Sequence, residues 1–424
     1  MRKMKDSGVE WIGEIPEDWE VNRIAGLYSL RNTRVSDKDF PPLSVTKNGI
    51  LPQLETAAKT DDHDNRKLVK KGDFVINSRS DRKGSCGISD YDGSVSLINT
   101  VLAPMDEMNP EYFNWVFRST LFAEEFYKWG NGIVDDLWTT NWTRMRNINV
   151  PLPGHEQQKK IAECVNRKTA SIDSIVETIS QEIETLEAYK KSVITEAVTK
   201  GLDKNAEMKD SGIEWIGEIP SEWSTIRLQD IADFKKGPFG SAITVSMFVE
   251  KGPNTFKIYE QKNAIQKSNS IGHYYIPENK YRELINFSVK PQDIIVSCAG
   301  TIGSTYTLSQ DSEAGIINQA LMRVRMNELM DENYFKYAFD MVIDYSGEKF
   351  SNGSAIKNIP PFNVLKKHRV CYPPRYEQEE IVSYLDKKTQ AIDEVIAIKQ
   401  NQLSLLDEYK KSLIYEYVTG KREV

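Results

Sequence analysis

The feature that most constrains this chain is that its ends are written twice and its middles once. Residues 4–24, MKDSGVEWIGEIPEDWEVNRI, return at 208–228 as MKDSGIEWIGEIPSEWSTIRL, with 14 of the 21 positions identical at a shift of 204. A second repeat, LEAYKKSVITEAVT at 186–199 and LDEYKKSLIYEYVT at 406–419, stands at a shift of 220. Between these ends lie segments of about 25–155 and 229–374 that barely resemble each other, the second 16 residues longer. A duplicated frame therefore carries two different inserts, and any fold must be built from two equivalent halves.

Each half closes on a predicted helix, about 157–200 and 377–419, that begins just after Pro153 or Pro373-Pro374, where helices commonly start. Apolar residues recur in steps of four and three: Ile161, Val165, Ile172, Ile175, Ile179, Leu186, Tyr189 and Val193, then Ile381, Leu385, Ile392, Val395, Leu406, Tyr409 and Leu413. This is a heptad seam, interrupted by Lys168 and Glu182 in one helix and by Lys388, Lys399 and Gln402 in the other. Such a helix is roughly 65 Å long at 1.5 Å per residue. Equal lengths and a shared seam favour pairing of the two helices. The short linker 201–207 then requires the second to run back, giving an antiparallel pair with a globular domain at each end and an approximate two-fold axis.

The middles share a plan. Each has a strand after a turn (70–78 and 289–297, with Asp73 and Asp293 aligned), an apolar stretch (97–104 and 316–324) and an aromatic-rich helix (111–119 and 332–340). Each ends in a Gly-containing loop and a strand running into proline, which reads as a small α+β domain. The 39% hydrophobic content over 424 residues supplies real cores and excludes global disorder. The four cysteines are far apart, so neither a disulfide framework nor a structural zinc site is expected. With no leader-like start and no long uncharged apolar run, the expected setting is the cytoplasm.

The doubled MKDSG[VI]EWIGEIP motif, the two dissimilar α+β middles and the two long repeated helices resemble the specificity subunit of a type I restriction–modification system, over essentially the whole chain. The resemblance implies an α+β protein with two pseudo-symmetric α/β target-recognition domains separated by an antiparallel pair of long coiled-coil helices. On this reading 1–155 holds the first opening motif and recognition domain, and 156–207 the first spacer helix and linker. Residues 208–374 repeat motif and domain, and 375–424 form the second spacer helix. Each domain would read one half of a bipartite site in double-stranded DNA. The helices would set the spacing and dock modification (methyltransferase) subunits, two per chain, with restriction (translocase/endonuclease) subunits joining the complex. No cofactor and no catalysis by this chain are implied.

The chain carries no motif for chemistry of its own. No G-x-x-x-x-G-K-[ST] loop is present to cradle a nucleotide. Asn358-Ile359-Pro360-Pro361-Phe362 misses the Asn-Pro-Pro-aromatic motif of amino-methyltransferases by one inserted residue, and Glu278-Asn279-Lys280 lacks the Pro-Asp of a nuclease motif. His63, His155, His273 and His368 have no metal-ligand spacing. Trp129, Trp138 and Trp142 read as core rather than as stacking platforms. A protein scaffold, or a self-contained methyltransferase or nuclease, stands as the alternative.

DNA-contact candidates come from loops. Arg79, Ser80, Arg82 and Lys83 follow a strand and combine guanine-reading arginines with a phosphate-binding lysine. The matching loop of the second middle contains Thr301 and no cation. Its basic candidate is Lys235, Lys236, Gly237, Gly240 and Ser241, a Gly-rich loop whose amides would meet a phosphate. Asn131 in the first middle and Asn352, Ser354 and Lys357 in the second mark late loops that align within a residue. The net charge of -7 argues against bulk electrostatic binding. It falls on the frame, however: residues 25–155 hold 16 basic and 17 acidic side chains, and residues 229–374 hold 17 and 15.

Overall fold

The computed structural model describes residues 2–54, 63–79, 82–105, 108–132, 138–299, 301–350 (side chains to 346) and 361–424. The chain divides into two compact units, Met1–Ile183 with Ile398–Val424, and Glu184–Ala397. Each unit thus takes a part of each long helix.

The two copies of the opening motif fold alike because their sequences are alike. Met4–Asp6 pairs antiparallel with Glu14–Pro16, and Met208–Asp210 with Glu218–Pro220, in the same register. The next strand in each unit, Glu20–Arg23 or Ser224–Arg227, pairs with the last strand before the long helix, Asn149–Leu152 or Arg369–Tyr372. Each middle is thereby closed at its neck by its own two ends.

Inside each middle lies a four-stranded antiparallel sheet of one topology. In the first unit the order is Cys86–Ile88, Phe74–Asn77, Asn99–Pro104, Tyr28–Leu30; in the second it is Thr305–Thr307, Ile294–Ser297, Leu321–Met326, Ala232–Lys236. The strand–turn signals at Asp73 and Asp293 do the same work. Each buried carboxylate accepts the backbone N–H three residues before it, from Lys70 or Lys290, and a bidentate arginine. The arginine differs in origin: Arg31 follows the edge strand, whereas Arg325 sits on the central one. The Asp73 hydrogen bond pushes the Arg31 guanidinium pKa up, and Asp293 does the same to Arg325.

Beyond that sheet the units diverge. The first adds a three-stranded sheet and the hairpin Leu43–Thr46/Gly49–Pro52; the second adds a mixed four-stranded sheet in which Thr255–Tyr259 runs parallel to Gly315–Ile317. The aromatic helix is Pro110–Arg118 in the first unit, where Ser119 leaves the helix and its hydroxyl caps Thr120–Lys128. In the second unit it runs unbroken over Glu332–Phe350.

The long helices span His155–Lys200 and Arg375–Val418, each starting two residues earlier than the prolines suggested. At both starts one glutamine closes the neck. The Gln158 carbonyl oxygen accepts from the Asn109 amide and its NH2 donates to Pro153; Gln378 does the same with Asp331 and Pro373. The helices pair antiparallel in both units: Asp173 with Lys410 and Glu182 with Lys399 in the first, Lys190 with Asp393 in the second. Asp173–Lys410 and Asp393–Lys190 are one pair repeated at the 220 shift.

The seam needs one correction. Ile175, Tyr189, Val395 and Tyr409 are between 41 and 50% exposed, while Val176, Lys190, Ile396 and Lys410 point inward beside them. Thr169 and Thr389 fill the buried positions next to Lys168 and Lys388, and each hydroxyl donates back to the carbonyl four residues earlier. Leu403, not Gln402, lies on the half-buried side. The apolar arc is wide enough for two adjacent stripes to satisfy the same four-three rhythm, and contact with the other helix selects the true one.

Each unit is tied to the C-terminal end of one long helix. Tyr112 donates its hydroxyl to the Val418 carbonyl at 2.7 Å, and Tyr334 donates to that of Val198 at 3.1 Å. Leu413, Ile414, Tyr417 and Val418 join the first core; Val193, Ala197 and Val198 join the second. Gly420 and Gly201, both at positive φ, end the helices against Trp19 and Trp223, where a side chain would collide or crowd. We expect Tyr112→Phe and Tyr334→Phe each to cost about 1–2 kcal/mol, since a buried carbonyl loses its donor. Thermal unfolding followed by unit-specific hydrogen exchange reads this out; unchanged protection near either helix end would refute the tie.

Candidate nucleic-acid interface

In the first unit the loop after Phe74–Asn77 leaves the sheet beside the start of the central strand, and the Ser78 amide donates to the Ile98 carbonyl. Arg79 is exposed, its amide held by the Asn77 side chain, and it bridges Thr139, which in turn bridges Asn131. The structure therefore brings Arg79 and Asn131, 52 positions apart in sequence, to one edge. Arg82 and Lys83 are exposed on the same loop. The Lys83 ammonium stands 3.8 Å over the Tyr127 ring, which fixes its direction. Ser80 lies outside the described residues.

Behind this loop is an apolar recess lined by Phe117, Phe122, Phe126, Tyr127 and Trp138, with Arg79 and Lys83 at its mouth. The Trp138 indole donates to the Tyr127 carbonyl; Trp129 and Trp142 are half-buried and pack against the edge of the core, whereas Trp138 lines the recess instead.

In the second unit two candidate loops leave the same end of the sheet on either side of the strand Leu321–Met326. Lys236 and Val296 both face Met322 in register; the Gly237 amide then donates to Leu321 and the Cys298 amide to Ala320. Lys236 is exposed, whereas Lys235 points to the other face, half-buried, with its ammonium 5.2 Å from the Phe287 ring. The phosphate-cradling reading of Gly237 is corrected here. Its amide is spent on the sheet, and glycine is required because a Cβ would collide with the Asn318 carbonyl. Gly240 and Ser241 form an exposed 3-10 turn.

Thr301 is exposed in a loop closed by Ser297, whose hydroxyl donates to the Thr301 carbonyl and accepts the Ser304 amide. Gly303, at φ +83°, rests on Ile343, and the loop borders a cavity lined also by Lys190, Lys191, Asp340 and Asp393. Burial raises the Cys298 thiol pKa to about 12, and Lys236 opposes that rise. Asn352, Ser354 and Lys357 lie outside the described residues, as do Asn358–Pro360 of the near-miss motif.

Among the described residues no group of three or more His, Cys, Asp or Glu side chains is arranged to hold a metal ion, and no helix is long and apolar enough to cross a membrane. All four cysteines are buried free thiols.

Sequence reasoning passed over one residue at this edge. Phe239 is 89% exposed at the tip of the Lys235–Ser241 loop. A phenylalanine between proline and glycine has no periodicity to place it, and only its exposure singles it out.

The comparisons with known proteins agree with this layout. The family profile for the type I restriction modification DNA specificity domain matches residues 16–185 and 220–405. Two proteins of Methanocaldococcus jannaschii are similar over 97% of this chain. One, the type I restriction enzyme MjaVIII specificity subunit, is 25% identical with 94% of its own length covered; the MjaX specificity subunit is 24% identical with 96% covered. A chain from a structural study of complex assembly and conformational transition in a type I restriction–modification system superposes with a TM-score of 0.71 at 15% identity, covering 96% of this chain and 99% of that one. Two copies of one domain fill most of the sequence, each ending a sheet in a loop cluster of different chemistry, and the chain belongs to the specificity subunits of type I restriction–modification systems, the DNA-recognition and non-catalytic components of those complexes.

Proposed function

We propose that each unit reads one half of a split, asymmetric double-stranded DNA site through the loops at that one end of its four-stranded sheet. The observation that carries this reading is the shared sheet with unlike loops. The same strand order presents Arg79, Arg82, Lys83 and Asn131 in one unit, and Lys236, Ser241 and Thr301 in the other. A frame repeated in both halves, carrying middles that differ, is what two readers of different half-sites require. Residues 1–155 and 208–374 are then the two motif-plus-reader segments, and 156–207 and 375–424 the spacer helices. The helices set the spacing between the two half-sites. Modification subunits, two per chain, dock on the frame and restriction subunits join the assembly. The frame carries most of the negative charge and the readers are close to neutral, so much of the phosphate binding falls to the partners.

The test is sequencing of methylated bases in a host expressing this chain with its modification subunit. A single split adenine motif is expected; its absence with an intact partner removes the reading. Within that motif, Arg79→Ala should relax one base position of one half-site, with a loss of about 1–3 kcal/mol, and leave the other half untouched. Lys236→Gln should weaken binding to all sequences alike and flatten the salt dependence by about one unit of slope. Loss of both half-sites on Arg79→Ala would contradict independent readers.

A further inference from the structure

Phe239 is the most exposed large apolar side chain in the described structure, at 89%. It is held out rather than left loose. On one side the Gly237 amide is fixed to Leu321 by a 2.9 Å hydrogen bond, and Pro238 is buried. On the other side the Ala242 amide donates to the Phe239 carbonyl at 2.8 Å, closing the 3-10 turn. Ile243 then drops into a core with Ile258, Ile276, Leu284 and Ile316. Six residues thus leave and re-enter the fold with the ring at their apex.

The surroundings indicate what would cover that ring. Residues 235–249 contain two lysines and no acidic residue. Ser241, Thr244 and Ser246 are exposed beside it, and Val245 is 79% exposed. Phe239 itself, with Lys235, Lys236, Gln319, Phe287 and Phe362, lines a cavity of about 450 Å³. An apolar blade with the exposed Lys236 and hydroxyls beside it suits a surface with flat apolar faces inside a polyanionic rim. Stacked bases between phosphates have that surface; an apolar protein patch would not use the cation.

We propose that Phe239 is a wedge that inserts against one base step of the half-site read by the second unit, partly unstacking it, with Lys236 on an adjacent phosphate. This rests on the DNA-reading function proposed above. Apolar wedges of this kind exchange base stacking for ring stacking and are tolerant of which base they meet. The wedge would add a deformability preference at a step not read by hydrogen bonds.

The experiment uses the assembled complex of this chain with its modification subunit. Duplexes of the identified site carry 2-aminopurine in turn at each adenine of both half-sites, because its fluorescence rises on unstacking. Apart from the methylated adenine of each half-site, which the modification subunit itself turns out of the stack, the wild-type complex should raise the signal several-fold at one further position, in one half-site only. Phe239→Ala should abolish that rise and weaken binding about tenfold, while Phe239→Trp should restore both. The residue is exposed, so thermal unfolding of both variants should match wild type. Unchanged fluorescence and affinity in Phe239→Ala would overturn the wedge while leaving the reading of DNA intact. Failure of Phe239→Ala to assemble with the modification subunit would overturn it in favour of a protein contact. If the wild-type complex marks no split motif, the functional reading falls first and the wedge with it.

Discussion

Removal of one heptad from each long helix, Thr178–Glu184 together with Ile398–Ser404, is expected to abolish methylation of the natural site. The two segments correspond at the 220 shift, and the double deletion removes both members of the Glu182–Lys399 pair while keeping Asp173–Lys410 and Lys190–Asp393. Because seven residues are two helical turns, the inward stripe continues in phase and the helix pair should still form. The spacer shortens by about 10 Å. At roughly 3.4 Å per base pair that is about three base pairs, and about a third of a turn of B-DNA between the readers. The natural motif should fall to background, and any motif that replaces it should have the same halves with a spacer about three pairs shorter. Methylation sequencing decides; an unchanged motif would mean that the helices do not set the spacing.

The second large effect is on folding. Asp73→Ala and Asp293→Ala should each destabilise their own unit by about 2–4 kcal/mol. Breaking a buried ion pair typically costs about 3–5 kcal/mol, and the discount reflects arginines that keep about a third of their exposure, where solvent screens the pair. The carboxylates themselves are only 2% and 1% exposed, and each also holds a backbone amide. The units need not unfold together, so hydrogen exchange resolved by unit is the proper readout. Asp73→Ala should release the sheet around Phe74–Asn77 and spare Ile294–Ser297; Asp293→Ala should do the reverse. Equal release in both units after either change would show that the two cores are not independent.

Much of this organisation is legible in the sequence because it depends on local and repeated signals. Closely matching opening motifs give hairpins of the same register, since the same turn glycines and strand residues meet the same local forces. The strands at Phe74 and Ile294 and the aromatic helices at Tyr112 and Tyr334 follow from short-range patterning. The phase of the long-helix seam does not. Ile175 and Val176, or Tyr189 and Lys190, satisfy the rhythm equally well, and apolarity favours the wrong member of the second pair. Lys190 is inward because its ammonium reaches Asp393 on the other helix, a partner 203 positions away.

The contact loops show the same divide. Cations after a strand are visible in sequence, but that Asn131 joins Arg79 through Thr139, or that Lys83 is fixed on Tyr127, depends on chain segments that meet only in space. The glycine at 237 looks like a phosphate cradle until the Asn318 carbonyl is seen to occupy the place of its missing side chain.

That the chain is two copies of one frame around two unlike readers is written in its residues, because a repeat repeats its local energetics wherever it occurs. Which helical stripe is inward, which helix end anchors Tyr112 and Tyr334, and that Phe239 stands exposed emerge from the folded chain alone. Each of these is fixed by a partner distant in the chain, or by the lack of one, and burial and hydrogen bonding act between neighbours in space.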